Sequence, residues 1–357
     1  MRWHWAIPGP LGQYTGGYRY DAEVVAGLRA RGVALEIHPL AGHHPDADGS
    51  AQAAAAHTWT GSAAAGAGLI IDGLALPAFA PLLARSDPRG PVIALIHHPL
   101  ALETGLDPDR AGHLAQTEQA ALRAVDAVVV TSPATRVLLA GGGLDAARLH
   151  VALPGTARLP RRLPKRPRSG PVRLLCVATL TPRKGHLRLL AALSGVRQVA
   201  WQLVCVGGDR GDQLYARRIR ARRDRVGWRR RVRITGEVDP AALSRHYHEA
   251  DLFVSASRLE GYGMALAEAL MHGLPIVTTR GGAIAQTVPP TAGLRIHGAA
   301  PRHLRRALSQ AMEQPGRRRH WTKQARRQAR RLGGWCETTA VFEQVMCSAV
   351  ARSTRHE

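Results

Sequence analysis

Two glutamates, Glu260 and Glu268, flank a glycine-containing turn in the second half of the chain. The turn follows an apolar run that ends at Ser257 and precedes a helical pattern of alanine and leucine. This order predicts a strand, a loop that carries the first glutamate, and a helix that carries the second. Ligands of open α/β sheets bind outside the carboxyl ends of the strands, and glycine lets a ligand approach bare backbone. The pair is therefore predicted to bind a polyhydroxyl compound. The alternative is two solvated acids, which are favoured near a helix N-terminus.

A second loop carries two neighbouring cations, Arg183 and Lys184. It follows a β-rich run at 172–179 and precedes a helical pattern at 187–193. Cationic side chains beside a helix N-terminus suit a diphosphate. Because the chain is rich in arginine, the lysine is the more specific signal, and lysine occurs only at 165, 184 and 323.

These segments resemble the retaining glycosyltransferases of the GT-B fold, specifically glycosyltransferase family 4 (glycosyl transferases group 1). The resemblance rests on the two glutamates with seven residues between them, the Gly-Gly-ended stretch at 273–282, and Pro-Arg-Lys-Gly at 182–185. It implies that Glu260 contacts the donor sugar and that Glu268 binds the ribose of the nucleotide. It also implies that Arg183 and Lys184 stabilise the departing diphosphate. Further donor-binding residues implied by the resemblance are Gly261, Tyr262, Gly263 and Met264, and, at the base, Gly236, Glu237 and Val238.

The first half of the chain carries weaker signals of the same kind. Gly16 and Gly17 precede a helical pattern and resemble the family's glycine-rich loop that faces the donor phosphates. His97 ends an apolar run and corresponds to the family's strand-end histidine near the donor sugar, with His98 as the alternative. Histidine pairs also bind metals, but no third ligand at suitable spacing is evident in the sequence. The resemblance implies that the diphosphate is held without a metal, so we expect neither a metal nor a cofactor.

The alternation of strand and helix patterns predicts an α/β fold. The resemblance implies a GT-B architecture of two Rossmann-like, doubly wound domains that face each other across a cleft. We expect an acceptor-binding domain at 1–157, a Pro/Arg-rich linker at 158–171, and a nucleotide-sugar-binding domain at 172–334. The helix at 335–357 packs either on the first domain, as the resemblance implies, or on the second.

Individual elements follow from local periodicity and turn signals. The strands predicted for the first domain are 33–38, 69–72, 92–97, 127–131 and 150–153, and its helices are 17–31, 111–125 and 133–140. The strands predicted for the second domain are 173–178, 202–206, 232–235, 252–255 and 275–278. The most apolar stretch, 63–84, is interrupted by an aspartate and two prolines, so it predicts a buried strand with its loop and no membrane span.

Composition leaves other functions open. The formal net charge of +23 is consistent with a nucleic acid partner, an anionic membrane surface, or an arginine-rich composition without function. Aromatic residues make up only 4% of the chain, and no nucleic-acid motif is recognised, so no nucleic acid partner is expected. The alternatives to a transferase are a basic, non-catalytic binder and a GT-B enzyme of another type, such as a phosphorylase or epimerase.

The sequence and the resemblance together predict a retaining hexosyltransferase. The donor would be a UDP- or GDP-sugar and the acceptor a hydroxyl of an envelope glycan, a lipid or a small glycoside. The four cysteines show no metal-ligand spacing and the start lacks a signal-peptide core, which predicts a cytoplasmic protein. Its positive charge favours peripheral contact with the anionic inner face of the membrane.

Overall fold

The computed structural model describes residues 1–85, 89–157, 170–298 and 300–353, which form two compact units. The first unit consists of Met1–Gly155 and Gly333–Glu357, and the second of Thr156–Leu332. The predicted linker at 158–171 falls almost wholly outside the described residues.

The described part of the first unit contains a parallel sheet of six strands in the order β2-β1-β3-β4-β5-β6. The strands are β1 Trp3–Pro8, β2 Leu35–Leu40, β3 Gly68–Asp72, β4 Val92–Ile96, β5 Ala127–Val130 and β6 Leu149–Val151. The helices are α1 Gly16–Ala30, α2 Gly49–Ala64, α3 Leu76–Leu83, α4 Pro108–Ala124, α5 Pro133–Gly141 and α13 Trp335–Ser353. Every residue of β3, β4 and β5 is buried, as expected of parallel strands covered on both faces.

The C-terminal helix α13 packs against α1 within the first unit. The ring of Phe342 stacks on Trp5 at 5.6 Å, and Trp335 contacts Tyr20 edge-on at 5.7 Å. The hydroxyl of Thr338 donates to the carbonyl of Leu153 at 2.7 Å. These contacts, together with contacts to β4, β5 and β6, bury Phe342 and its apolar neighbours on α13.

The second unit is also built on a parallel sheet, with a different strand order. Its described residues contain six parallel strands in the order β12-β11-β10-β7-β8-β9. They are β7 Val172–Val177, β8 Trp201–Val206, β9 Val232–Ile234, β10 Leu252–Ser255, β11 Ile276–Thr278 and β12 Gly293–Arg295. The helices are α6 His186–Leu193, α7 Gln213–Arg225, α8 Pro240–Glu249, α9 Met264–Met271, α10 Ile284–Thr287, α11 Pro301–Glu313 and α12 Pro315–Ala329.

Four elements were not predicted from local pattern. Strand β1 lies between β2 and β3, and its run Trp-His-Trp-Ala-Ile-Pro is neither an alternating nor a wholly apolar pattern. Helix α2 is rich in small alanines, so it has no strong apolar stripe, and α3 contains Pro81, which argues against a helix. Strand β12 is Gly-Leu-Arg, so it contains a single apolar residue and shows no apolar run. The stretch at 63–84 is therefore a strand followed by a helix, where a strand with its loop was predicted.

None of the helices in the described residues is both long and apolar enough to cross a membrane.

Candidate active site

The cationic loop and the first glutamate lie at the same edge of the second sheet. Strands β7 and β10 are parallel neighbours, so the loops that follow them leave the sheet side by side. The amide of Arg258 donates to the carbonyl of Arg183 at 2.8 Å, and the Arg183 guanidinium donates to the carbonyl of Leu259 at 2.9 Å. The two loops are thus held together by one backbone hydrogen bond and one hydrogen bond from the Arg183 side chain.

Lys184 and Glu260 form the central contact of this edge. The Lys184 ammonium donates to both carboxylate oxygens of Glu260, at 2.8 and 2.7 Å. Ser257 Oγ donates to the same carboxylate at 2.6 Å, and Arg183 Nη1 lies 3.7 Å from it. The Lys184 and Glu260 side chains are only 16% and 13% exposed. The carboxylate is therefore fixed in position and largely shielded from water.

Glu260 remains ionised in this setting. Burial by itself would raise the pKa of its carboxyl group, but the charges of Lys184 and Arg183 and the hydrogen bonds from Lys184 and Ser257 outweigh burial and lower the pKa. A buried carboxylate with two cations can exchange them for the hydroxyls of a sugar. The cations can in turn accept a phosphate, because charged hydrogen bonds of this kind are strong.

Two consecutive glycines hold the loop that carries Glu260. Its amide donates to the carbonyl of Gly281, and the amide of Ala283 donates back to the Glu260 carbonyl at 2.9 Å. A Cβ atom at Gly281 would overlap the carbonyl oxygen of Arg258, and one at Gly282 would overlap that of Glu260. The Gly-Gly pair that contributed to the resemblance is thus required by close approach of backbone to backbone.

The second glutamate has a different neighbour. Glu268 lies in α9 and is partly buried, and its Oε2 lies 2.8 Å from the hydroxyl of Tyr247 on α8. The ring of Tyr247 is buried between Phe253 and His272, so the hydroxyl is rigidly placed. Tyr247 therefore orients the carboxylate that was predicted to bind the ribose, a role that nothing in the local sequence indicated.

The other predicted donor-binding residues lie in loops at strand ends. Gly263 is the N-cap of α9 with φ of 91°, after Gly261 and before Met264 at the first helical position. The carbonyl of Tyr262 accepts from Thr287 Oγ1 at 2.6 Å, which fixes the turn. Gly236 follows β9 with φ of 75°, and its carbonyl accepts from the amide of Gly207 after β8 at 2.9 Å. Glu237 then lies beside Gly208, and Val238 packs on the core.

In the first unit, His97 lies between two buried aspartates. Its Nε2 is 3.1 Å from Asp21 Oδ1 on α1 and 3.3 Å from Asp72 Oδ2 at the end of β3. The aspartate side chains are 2% and 4% exposed. The alternative histidine, His98, lies 3.4 Å from Glu103 and outside this cluster. His97 therefore has two buried carboxylates within 3.3 Å of its Nε2.

The two aspartates keep His97 protonated at neutral pH. Burial lowers the pKa of the imidazole, but the charges and hydrogen bonds of Asp21 and Asp72 more than compensate and raise it to about 10. Burial likewise raises the pKa of Asp21 to about 6, against the opposing effect of His97. The cluster is thus a protonated imidazole held by two carboxylates. The other ring nitrogen of His97, Nδ1, can donate a hydrogen bond to an oxygen of a ligand.

The glycine-rich loop lies beside this histidine. Gly16 begins α1 after the N-cap Thr15, and a Cβ atom at Gly17 would lie 3.4 Å from the His97 ring. The structure thus brings Gly17 and His97 together, as it does Arg183, Lys184 and Glu260. Asp21 and Asp72 were missed from the sequence. The available signals were the position of Asp21 one helical turn after Gly17 and the placement of Asp72 at the end of an apolar strand.

Comparison with known proteins agrees with this geometry. Residues 162–328 match the family model described as glycosyl transferases group 1. A D-inositol 3-phosphate glycosyltransferase of Xylanimonas cellulosilytica is 28% identical over 71% of this chain. That match spans 64% of the relative's own length.

Solved structures match over nearly the whole chain. The sucrose-phosphate synthase of Thermosynechococcus elongatus has a TM-score of 0.82 at 20% identity, over 99% of this chain and 100% of the other. Anabaena HepE in complex with UDP and glucose has a TM-score of 0.74 at 17% identity, over 98% and 100%. Identities this low establish the fold, and the predicted α/β, GT-B fold class is confirmed. The family match covers most of the second unit, which carries Arg183, Lys184, Glu260 and Glu268.

Proposed function

We propose that this protein is a retaining hexosyltransferase of glycosyltransferase family 4 that moves a sugar from a UDP- or GDP-sugar to an acceptor hydroxyl. The observation that carries the proposal is the contact of Lys184 and Arg183 with Glu260 at the shared edge of β7 and β10. A nucleotide-sugar presents a diphosphate anion next to a ring of hydroxyl donors. Its phosphates would take over the two cations, and the sugar hydroxyls would donate to Glu260. The two cations and the Glu260 carboxylate, which contact one another without a ligand, would thus each contact the donor instead.

The chemistry follows from that exchange. The bond between the anomeric carbon and the phosphate oxygen breaks while the acceptor oxygen attacks the same face of the sugar. The acceptor's proton passes to the leaving phosphate oxygen, so no strong protein base is needed. Arg183 and Lys184 stabilise the negative charge that develops on the diphosphate. Glu260 orients the sugar and forms no covalent bond, and Glu268, oriented by Tyr247, binds the ribose.

His97 contributes a fixed positive charge in this proposal. Because Asp21 and Asp72 keep it protonated, it can donate a hydrogen bond to an oxygen of a ligand without acting as a base. UDP-sugars are the first donors to test, because the similar Anabaena structure is a complex with UDP and glucose.

The first experiment is thermal stabilisation by UDP, GDP, ADP and their sugar conjugates. We expect one nucleotide to stabilise the wild type, Glu268→Ala to lose that stabilisation, and Glu313→Ala, at an exposed position of the same unit, to keep it. The protein with the stabilising nucleotide-sugar should slowly hydrolyse it. Proton NMR of the first sugar released then shows whether its anomeric configuration is that of the donor. If no nucleotide stabilises the folded protein, the transferase proposal fails and the basic-binder alternative becomes the better explanation.

A further inference from the structure

A second group of histidines lies away from the candidate active site, at the edge of the first sheet. His4 on β1 pairs in register with Glu36 on the edge strand β2, and His38 lies two residues further along β2. Side chains two residues apart on a strand share a face, so all three project from the same face of the sheet. Their candidate ligand atoms lie within 4.8 Å of one another.

The buried member of this cluster lacks the partners that a buried polar group needs. His4 is 5% exposed, and neither of its ring nitrogens has a hydrogen-bond partner among the described residues. Its Nε2 lies 4.0 Å from a carboxylate oxygen of Glu36, and His38 Nε2 lies 3.7 Å from the other oxygen. Leaving a buried imidazole nitrogen unsatisfied is costly. Both histidines thus have Nε2 within 4.0 Å of the same carboxylate.

We propose that His4, Glu36 and His38 form a binding site for a divalent transition metal, with Zn²⁺ as the best match. Two imidazole nitrogens and one carboxylate are a zinc ligand set, with the fourth position free for water or another side chain. The ion would connect the edge strand β2 to β1 beside it.

Metal binding requires one local rearrangement. The His4 and His38 rings stack at 4.7 Å between centroids with 14° between their planes. Lone pairs in nearly parallel rings do not converge on one point, so one ring must turn. His38 is the ring that turns, since its side chain is 22% exposed while that of His4 is 7% exposed.

The test uses the full-length protein after treatment with a chelator. Isothermal titration with Zn²⁺ measures affinity, and the visible absorption of bound Co²⁺ reports imidazole and carboxylate coordination. We expect one site per chain, with affinity reduced at least about tenfold in His38→Gln and in Glu36→Gln. His113→Gln, at an exposed position of α4, is the matched control and should bind as the wild type does. Circular dichroism shows whether the variants are folded, and Glu36→Gln is the safer of the two because its side chain is 57% exposed.

A second cluster serves as an internal competitor. Asp21, Asp72 and His97 also offer three ligand atoms within 4.8 Å. If His97→Gln abolishes Co²⁺ binding while His38→Gln and Glu36→Gln retain it, the metal binds in that cluster and the proposal is wrong. Equal binding by all the variants, or none by the wild type, overturns it as well. Neither outcome depends on transferase activity, so the metal site and the proposed function fail independently.

Discussion

Replacing Lys184 with methionine tests whether the central ion pair exists in solution. Methionine keeps much of the apolar stem and removes the charge. Removing one partner from a buried ion pair costs about 3–5 kcal/mol, because the other charge stays buried without compensation. Here Glu260 keeps Ser257 at 2.6 Å and Arg183 at 3.7 Å, and the pair is slightly exposed. We therefore expect a loss of about 2 kcal/mol in the free energy of unfolding.

Urea unfolding measures this loss directly. For a unit of the size of Thr156–Leu332, the same loss lowers the midpoint of thermal unfolding by about 4–8 °C. Lys323→Met, at an exposed position of α12, is the matched control and should change stability by less than about 0.5 kcal/mol. The double variant Lys184→Met/Glu260→Gln should lose less than the sum of the single variants, because the two residues interact.

The pH dependence provides an independent check. The pKa of Glu260 is lowered from 4.5 in the folded wild type, so its stabilising contribution is present above pH 4.5 and disappears as the pH falls through the lowered value. The stability difference between the wild type and Lys184→Met should therefore shrink in acid, where a protonated Glu260 no longer needs a cation. If the two proteins are equally stable at neutral pH, or if their difference grows in acid, the ion-pair argument is refuted.

Three further predictions concern the residues around the candidate site. Tyr247→Phe should weaken nucleotide binding by about tenfold or less, since it removes one hydrogen bond to Glu268. Glu268→Ala should weaken nucleotide binding more, and isothermal titration measures both affinities. The raised pKa of His97 gives stability that is fully present below pH 6.5 and lost as the pH rises through about 10. Urea unfolding should show this loss in the wild type and in His113→Gln, and a smaller loss in His97→Gln. Gly281→Ala should lower stability by about 2–3 kcal/mol through overlap with the Arg258 carbonyl, whereas Gly141→Ala, whose added Cβ meets open space, should be neutral or stabilising.

The strand-turn-helix segments of the second unit were predictable because their signals are local. The run 252–255 is apolar, is bounded by polar residues, and forms β10 with the predicted bounds. The loop after it needs glycine, and α9 begins where the apolar helical pattern begins. Likewise, the residues on either side of Arg183 and Lys184 were enough to predict that these two cations lie between a strand and a helix. Patterns of this length depend on backbone preferences within a few residues.

Contacts between distant segments could not be predicted in the same way. Tyr247 approaches Glu268 only because α8 and α9 pack on the same face of the sheet. Asp21 and Asp72 meet His97 because α1, β3 and β4 converge, although they are separated by long stretches of unrelated sequence. The hydrophobic periodicity of the sequence does not predict such a contact, because the contact depends on strand order and on the crossover connections.

The sequence by itself determined the fold class, the alternation of elements, and the residue types at the two loops that carry charge. Only the tertiary structure decided which of those charges pair. Strand order placed Lys184 against Glu260, and the register of β1 with β2 placed His4 beside Glu36. The reason is that backbone preference acts over a few residues, whereas the neighbours of a strand are chosen by burial of apolar surface across the whole unit.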